Sequence, residues 1–272
     1  MSQQPGSNVY AFTHSEAVLR THQWRTVKNS AAYLLPYLRP NMNILDVGCG
    51  PGTLTTDLAR HVPDGHVTGI ETTDAPLGEA RKFAEQVGVK NVSFTEGDVL
   101  NLENYKDDTF DVVHAHQVLQ HVPDPVKALS EMRRVTKKGG LVAARESADM
   151  TWYPRLKEMD DFFDVYIKVA KSKGGNPNPG SYIHVWAQEA GFARDAITCT
   201  AGTWCFSAPE DRQYWGGAFS ERVVSPGYVE NAVSGGICKK EDLERISEGW
   251  QEWVRSKDGW FTVTHGEIVC RK

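Results

Sequence analysis

The chain is poor in the features that mark several whole classes of protein. It has only five cysteines in 272 residues, Cys49, Cys199, Cys205, Cys238 and Cys270. An odd number at scattered spacings fits neither a disulfide framework nor a zinc site, so reduced thiols in a cytosolic protein are expected. No apolar run approaches the roughly 20 residues that a membrane-spanning helix needs. The opening MSQQPGSNVYAFTH has neither the basic start nor the apolar centre of a secretory signal, which points to a cytoplasmic location. Runs of Lys or Arg are missing as well. With 30 Lys+Arg against 35 Asp+Glu the formal net charge is -5, and the electrostatic footprint of a nucleic-acid or anionic-membrane binder is lacking. Internal repeats and low-complexity segments are also absent. What is present is an ordinary globular composition, 40% hydrophobic, enough for a sizeable core. A small molecule is the natural partner of such a chain.

Through the first half, apolar strand-like runs alternate with helical periodicity, the pattern of crossover units in a parallel sheet. Strands are predicted over residues 43–47, 66–71, 92–96, 110–115 and 140–145. The clearest helix spans 126–138, where Val126, Leu129, Met132 and Val135 repeat on one face. Asp124 can cap it, Pro125 suits its first position, and Gly139 and Gly140 would close it. A helix over 30–38 is predicted to end before Pro40. The second half reads as helices over 154–173, 182–190, 210–219 and 240–256, with strands over 197–207 and 260–271. The last of these strands, following a parallel sheet, suggests an antiparallel insertion at one edge.

Residues 44–55, ILDVGCGPGTLT, carry the most information. An apolar strand opens into Gly48, Gly50 and Gly52 and then into the start of a helix. Glycines there allow positive φ and let a ligand approach where a Cβ would collide, so a nucleotide-like cofactor is the natural occupant. The dinucleotide fingerprint G-x-G-x-x-G would need a glycine at position 53, where Thr53 stands. With Asp46 ahead of the three glycines, the segment instead resembles the D-x-G-x-G-x-G motif of class I S-adenosylmethionine-dependent methyltransferases. The stretches HSEAVLRTHQWRTVKNSAAYLLPYL and AHQVLQHVPDP are similar to the ubiquinone/menaquinone-biosynthesis-like small-molecule group of that family.

The resemblance implies an α/β, Rossmann-like three-layer sandwich with a seven-stranded, mostly parallel sheet, an antiparallel last strand and helical lid elements. It divides the chain into a lid segment, 1–29, and a methyltransferase domain, 30–272. That domain would comprise a cofactor core over 30–147, a helical insertion over 148–195, and C-terminal strands and helices over 196–272. The implied cofactor is S-adenosyl-L-methionine, with S-adenosyl-L-homocysteine as product and no metal. Asp46, Gly48, Cys49, Gly50 and Gly52 would form its cradle. Glu71, with Thr72 beside it, would accept from the ribose hydroxyls, and Asp74 is read as a helix cap. Asp98 would accept from the adenine amino group, with the Val99 N–H on the ring; an Asx turn is the alternative for Asp98. His116 and Gln117 would approach the methionine part, while His114 is read as a packed core histidine.

Methyl transfer needs alignment and exclusion of water, and a base only for an acceptor of high pKa. His121 and His116 are the candidate catalytic residues, His121 as general base. Tyr10, His14, Trp24, Arg25, His121 and Trp152 are the candidate acceptor-binding residues, drawn from two aromatic-rich segments that also suit an ordinary core. The expected activity is methyl transfer to a small aromatic or apolar metabolite by direct displacement. A non-catalytic cofactor-binding partner protein of the same fold is the alternative. Nucleic-acid methylation is disfavoured, because Ala115-His116-Gln117-Val118 replaces the Asn/Asp-Pro-Pro-Tyr signature used on extruded bases. A homodimer that closes the pocket is left open.

Overall fold

Residues 43–47, NILDV, form a central strand, β1 (Asn43–Val47), because every residue after the first is buried and both faces are covered. The computed structural model describes residues 21–272, so Tyr10 and His14 lie outside the described residues. β1 pairs in parallel with β2 (His66–Glu71) on one side and β4 (Phe110–His116) on the other, and β2 pairs with β3 (Val92–Glu96). β5 (Thr136–Tyr153) lies parallel to β4. β7 (Trp260–Arg271) runs antiparallel between β5 and β6 (Ile197–Phe206), which completes the order β3-β2-β1-β4-β5-β7-β6. The mostly parallel seven-stranded sheet with an antiparallel last strand is therefore present, β7 being inserted at one edge between β5 and the outermost strand β6.

Seven α-helices longer than one turn accompany the sheet among the described residues: α1 (Thr53–His61), α2 (Ala75–Gln86), α3 (Pro125–Val135), α4 (Lys157–Ser172), α5 (Ile183–Glu189), α6 (Pro209–Val223) and α7 (Lys240–Arg255). Strand alternation sorts apolar side chains to two faces. Ile44, Val67 and Val112 meet Leu54 and Leu58 of α1, whereas Leu45, Val47 and Val113 meet Leu129 and Met132 of α3. A third cluster covers the far ends of β5, β6 and β7, where Trp204, Phe206 and Phe261 pack against Phe162, Phe219 and Trp250 from α4, α6 and α7. Each full burial of a side chain of this kind contributes about 1.5–3 kcal/mol, so the cluster is a substantial core in itself.

Three elements differ from their sequence reading. α3 stops at Val135 rather than 138, because the Thr136 hydroxyl donates to the Met132 carbonyl at 2.7 Å while its backbone turns extended and begins β5. Asp124 does cap it, accepting from the Lys127 N–H at 2.8 Å. The helix over 30–38 is instead a single turn, Val27–Ser30, followed by a 3-10 helix, Ala32–Tyr37, that contains Pro36. β5 runs eight residues past its expected end, paired with β7 from Leu141/Arg271 to Tyr153/Trp260. The chain therefore leaves the sheet at Tyr153, and the expected boundary at 147 falls within a strand. Among the described residues, no helix is long and apolar enough to cross a membrane.

Candidate active site

The carboxyl ends of β1 to β4 meet at one cavity of about 730 Å³, within the usual range for small-molecule sites. At the end of β1 the backbone turns through Gly48 at φ +64° and Gly50 at φ +52°. A Cβ on Gly48 would lie 2.4 Å from Val118 Cγ2, so this glycine lets two loops touch. Among the described residues, a Cβ on Gly50 would meet only His22 Nδ1, at 4.0 Å, and so would project into the cavity. Gly52 is absent from the wall and packs toward Ala80 and Phe94. Cys49 lines the cavity, but burial, with Asp46 and Glu71, pushes its thiol pKa well above the usual value, which leaves it an inert apolar wall.

Asp46 lines the cavity yet spends both oxygens inward. Oδ1 accepts from His114 Nδ1 at 2.7 Å and Oδ2 from the Thr55 hydroxyl at 2.6 Å, which ties β1 to β4 and to the first turn of α1. His114 is fully buried, a core histidine with this bracing role. Glu71 closes the turn from β2: Oε2 accepts from the Gly50 N–H at 3.2 Å, and Oε1 from the Thr72 N–H at 2.9 Å. Asp98, Val99, Glu71 and Thr72 all line the same end of the cavity. Asp98 Oδ1 also accepts from the Leu100 N–H at 2.9 Å, so the Asx turn exists and presents the residue to the cavity at the same time. Asp74 stands at the N-terminus of α2 without a side-chain capping bond and pairs with Arg81 at 3.1 Å.

Gln117 follows β4 with φ +54°, a left-handed conformation that costs a non-glycine residue on the order of 1–3 kcal/mol. Three contacts hold it there. Its N–H donates to the Arg145 carbonyl at 2.8 Å, its Oε1 accepts from Arg25 Nη2 at 2.6 Å, and its Nε2 lies 3.0 Å from His265 Nε2. An arginine can only donate, so Oε1 is the acceptor and the amide nitrogen donates to His265. His265 is therefore neutral, with its proton on Nδ1. Burial, with Arg145 and Arg25, pushes its pKa down to about 2. The turn after Gln117 is anchored by Glu146 of β5, which is fully buried and accepts from the N–H groups of Val118 at 2.8 Å and Leu119 at 2.7 Å.

The other end of the cavity is aromatic: Phe162, Tyr166, Trp204, Trp215 and Phe219 line it with Met150. His116 and His121 both face the cavity. Burial, then Arg25 and Arg145, pushes His116 well below the ordinary histidine range, and burial with Arg25 brings His121 down to about 3. Set against a hydroxyl of pKa about 10, the His121 imidazole faces about 7 units, or roughly 9.5 kcal/mol, against proton transfer. Both are hydrogen-bonding groups and weak bases. Arg25 lines the cavity, whereas Trp24 stands behind the wall, edge-on to Trp204 at 5.2 Å and to Trp215 at 5.4 Å. Trp152 does not line the cavity; it is buried near Phe163 at 6.1 Å, with the Arg155 guanidinium over its ring.

Several site residues escape the sequence reading. His22, Gln120, Ser147 and Arg222 line the cavity, and Arg145, Glu146 and His265 support it. The polar interruption Arg145-Glu146-Ser147 in an apolar strand hinted at some of them, while Gln120 falls in the polar-rich stretch from His114 to His121 and His22 in the N-terminal lid segment. Among the described residues, no group of three or more His, Cys, Asp and Glu side chains is placed to hold a metal ion.

The turn at the end of β1, the acid at the end of β2 and the sheet order define a class I, Rossmann-like methyltransferase framework. The model of a family described as "Methyltransferase domain" matches residues 38–191. Over its full length the chain is 34% identical to an uncharacterized methyltransferase of Schizosaccharomyces pombe, covering 99% of that protein. It is 30% identical to the Probable methyltransferase ltbC of Aspergillus luteorubrus, with 98% of each chain covered. Ubiquinone and demethylmenaquinone methyltransferases match over shorter stretches, 38% identity across 37% of the chain for the Hahella chejuensis ubiquinone biosynthesis O-methyltransferase. Among solved structures, the YcgJ protein of Bacillus subtilis shares the fold at TM-score 0.57 and 17% identity, covering 89% of this chain and 97% of that one. A phosphoethanolamine N-methyltransferase of Haemonchus contortus, bound to S-adenosyl-L-methionine, does so at TM-score 0.56 and 15% identity, with 95% and 58% covered. The chain belongs to the methyltransferase domain family and is an S-adenosylmethionine-dependent methyltransferase.

Proposed function

We propose that the protein methylates a small acceptor of aromatic or apolar character. The observation that carries this reading is the continuity of one cavity, from the glycine turn and Glu71 at one end to Trp204, Trp215 and Phe219 at the other. S-adenosylmethionine, when bound, supplies an electrophilic methyl group, and the rest of the work is positioning. The open face of Gly50 accepts a ligand without a clash, Glu71 faces the ribose, Asp98 and Val99 face the adenine, and Gln117 and His116 face the methionine part. The aromatic end holds the acceptor flat and keeps water out. His121 hydrogen-bonds and orients; with its pKa held low, it is not asked to remove a proton from an acceptor of high pKa.

Two measurements test this reading. S-adenosylhomocysteine at a hundredfold excess over its dissociation constant is expected to stabilise the protein by about 2.7 kcal/mol, and absence of any thermal shift would refute the cofactor assignment. Incubation with methyl-labelled cofactor and a fractionated pool of small metabolites is expected to label a low-molecular-weight aromatic or apolar product. Tight cofactor binding without turnover on any acceptor would favour a non-catalytic partner protein instead.

A further inference from the structure

The two ends of the cavity differ in charge. Among the described residues, the carboxylates on its wall, Asp46, Glu71 and Asp98, all stand at the glycine turn or at the ends of β2 and β3. The acceptor end carries aromatic rings, histidines and the guanidinium groups of Arg25 and Arg222. His116 stands at the junction, 4% exposed, with neither ring nitrogen hydrogen-bonded among the described residues. Its ring lies 5.7 Å from that of Trp204 and 6.3 Å from that of His265. A buried imidazole with both nitrogens unsatisfied is unfavourable until a ligand meets it.

The carboxylates packed around this point are each engaged within the protein. Asp46 of β1 is held by His114 and Thr55, and Glu146 of β5 by backbone N–H groups. Glu267 of β7 accepts from Arg145 Nε at 3.1 Å and from the Thr200 hydroxyl at 2.8 Å. Arg145 itself, from β5, lies 4.9 Å over the Trp204 ring, with its Nη1 unpartnered. Burial is the first cause of the low His116 pKa and disfavours charge of either sign; Arg25 and Arg145, which come next, oppose a proton there and favour an anion beside it.

We propose that the methyl acceptor presents an acidic hydroxyl, of the phenol or enol kind, to His116 and is bound there as its oxyanion. This inference rests on the methyltransferase reading above. The hydroxyl proton leaves to solvent as the acceptor binds, and the neutral His116 donates its one N–H to the oxyanion. An oxygen lone pair then forms the bond to the methyl carbon as the methyl–sulfur bond breaks, and that bond's electron pair stays on sulfur. No protein base is required. A protonated amine would find no carboxylate at this end among the described residues.

The test uses 4-nitrophenol as a spectroscopic probe, with 4-nitroanisole as its non-ionising counterpart and the protein saturated with S-adenosylhomocysteine. The expected result is saturable binding of the phenol with its pKa at least one unit below the free value, read from the phenolate absorbance. The anisole should bind at least tenfold more weakly. His116→Phe should remove most of the preference for the phenol. Arg25→Gln should shrink the pKa shift and Arg25→Lys should retain most of it. An unshifted or raised pKa, equal binding of phenol and anisole, or no binding of the phenol overturns the proposal. Failure of S-adenosylhomocysteine itself to bind would instead overturn the cofactor assignment, so the two outcomes are distinct.

Discussion

Glu146 has no contact with solvent, yet its carboxylate holds the turn that carries Gln117 to His121. Burial pushes its pKa from the ordinary 4.5 up to about 7, against the lowering pull of three backbone N–H groups. The folded chain therefore binds more protons than the unfolded chain between those values. The stability tied to this residue is fully present below the unfolded pKa and is lost as pH rises through about 7. At 1.36 kcal/mol per unit the loss is roughly 3 kcal/mol. Glu146→Gln removes the titration, so the stability difference between wild type and variant should fall by up to that amount from pH 5 to pH 8, measured by urea unfolding. A difference independent of pH would show that the carboxylate does not titrate in this window. The variant also leaves N–H groups of the turn poorly paired, at about 1–3 kcal/mol.

At the scale of elements, the glycine turn separates two functions that one motif hides. Gly48→Ala would place a methyl 2.4 Å from Val118 Cγ2 at φ +64°, so it should unseat the turn after β4 and destabilise the fold by about 1–3 kcal/mol. Gly50→Ala meets no atom of the described residues closer than 4.0 Å and projects into the cavity, so its main effect should fall on the ligand. We expect it to weaken S-adenosylhomocysteine binding by tenfold or more in calorimetry, with a smaller loss in melting temperature than Gly48→Ala. Unchanged affinity in Gly50→Ala would place the cofactor elsewhere. These glycines are legible in the sequence because turn geometry is local, as are strands β1 to β4 and the acids at their ends. The extension of β5 beyond Arg145 is not, because Arg145, Glu146 and Ser147 look like the end of an apolar run. They stay in the strand, 2%, 0% and 2% exposed, because Glu267, the turn at Val118 and Gln120 bring partners from distant parts of the chain. Trp24 and Trp152 were ambiguous for the same reason: aromatic content suits a wall and a core equally, and only packing decides.

Across the whole molecule, the site concentrates histidines that burial and nearby guanidinium groups keep neutral. His265 titrates at about 2 and His121 at about 3, with His116 also well below the ordinary 6.5. The unfolded chain binds protons on all three from near pH 6.5 downward while the folded chain does not. Their contribution to stability is thus present above the unfolded value and is lost as pH falls through the folded values. Glu146 acts in the opposite direction, but a single carboxyl cannot offset three imidazoles. The melting temperature should therefore fall steadily as pH is lowered from about 6.5 to 4, and His265→Gln should flatten part of that slope in scanning calorimetry. Saturating S-adenosylhomocysteine raises the whole curve and leaves the part of the slope that belongs to His121, at the acceptor end, and His265, behind the wall, because only His116 of the three faces the methionine part. A melting temperature flat across this range would mean that the three imidazoles do not stay neutral in the folded chain.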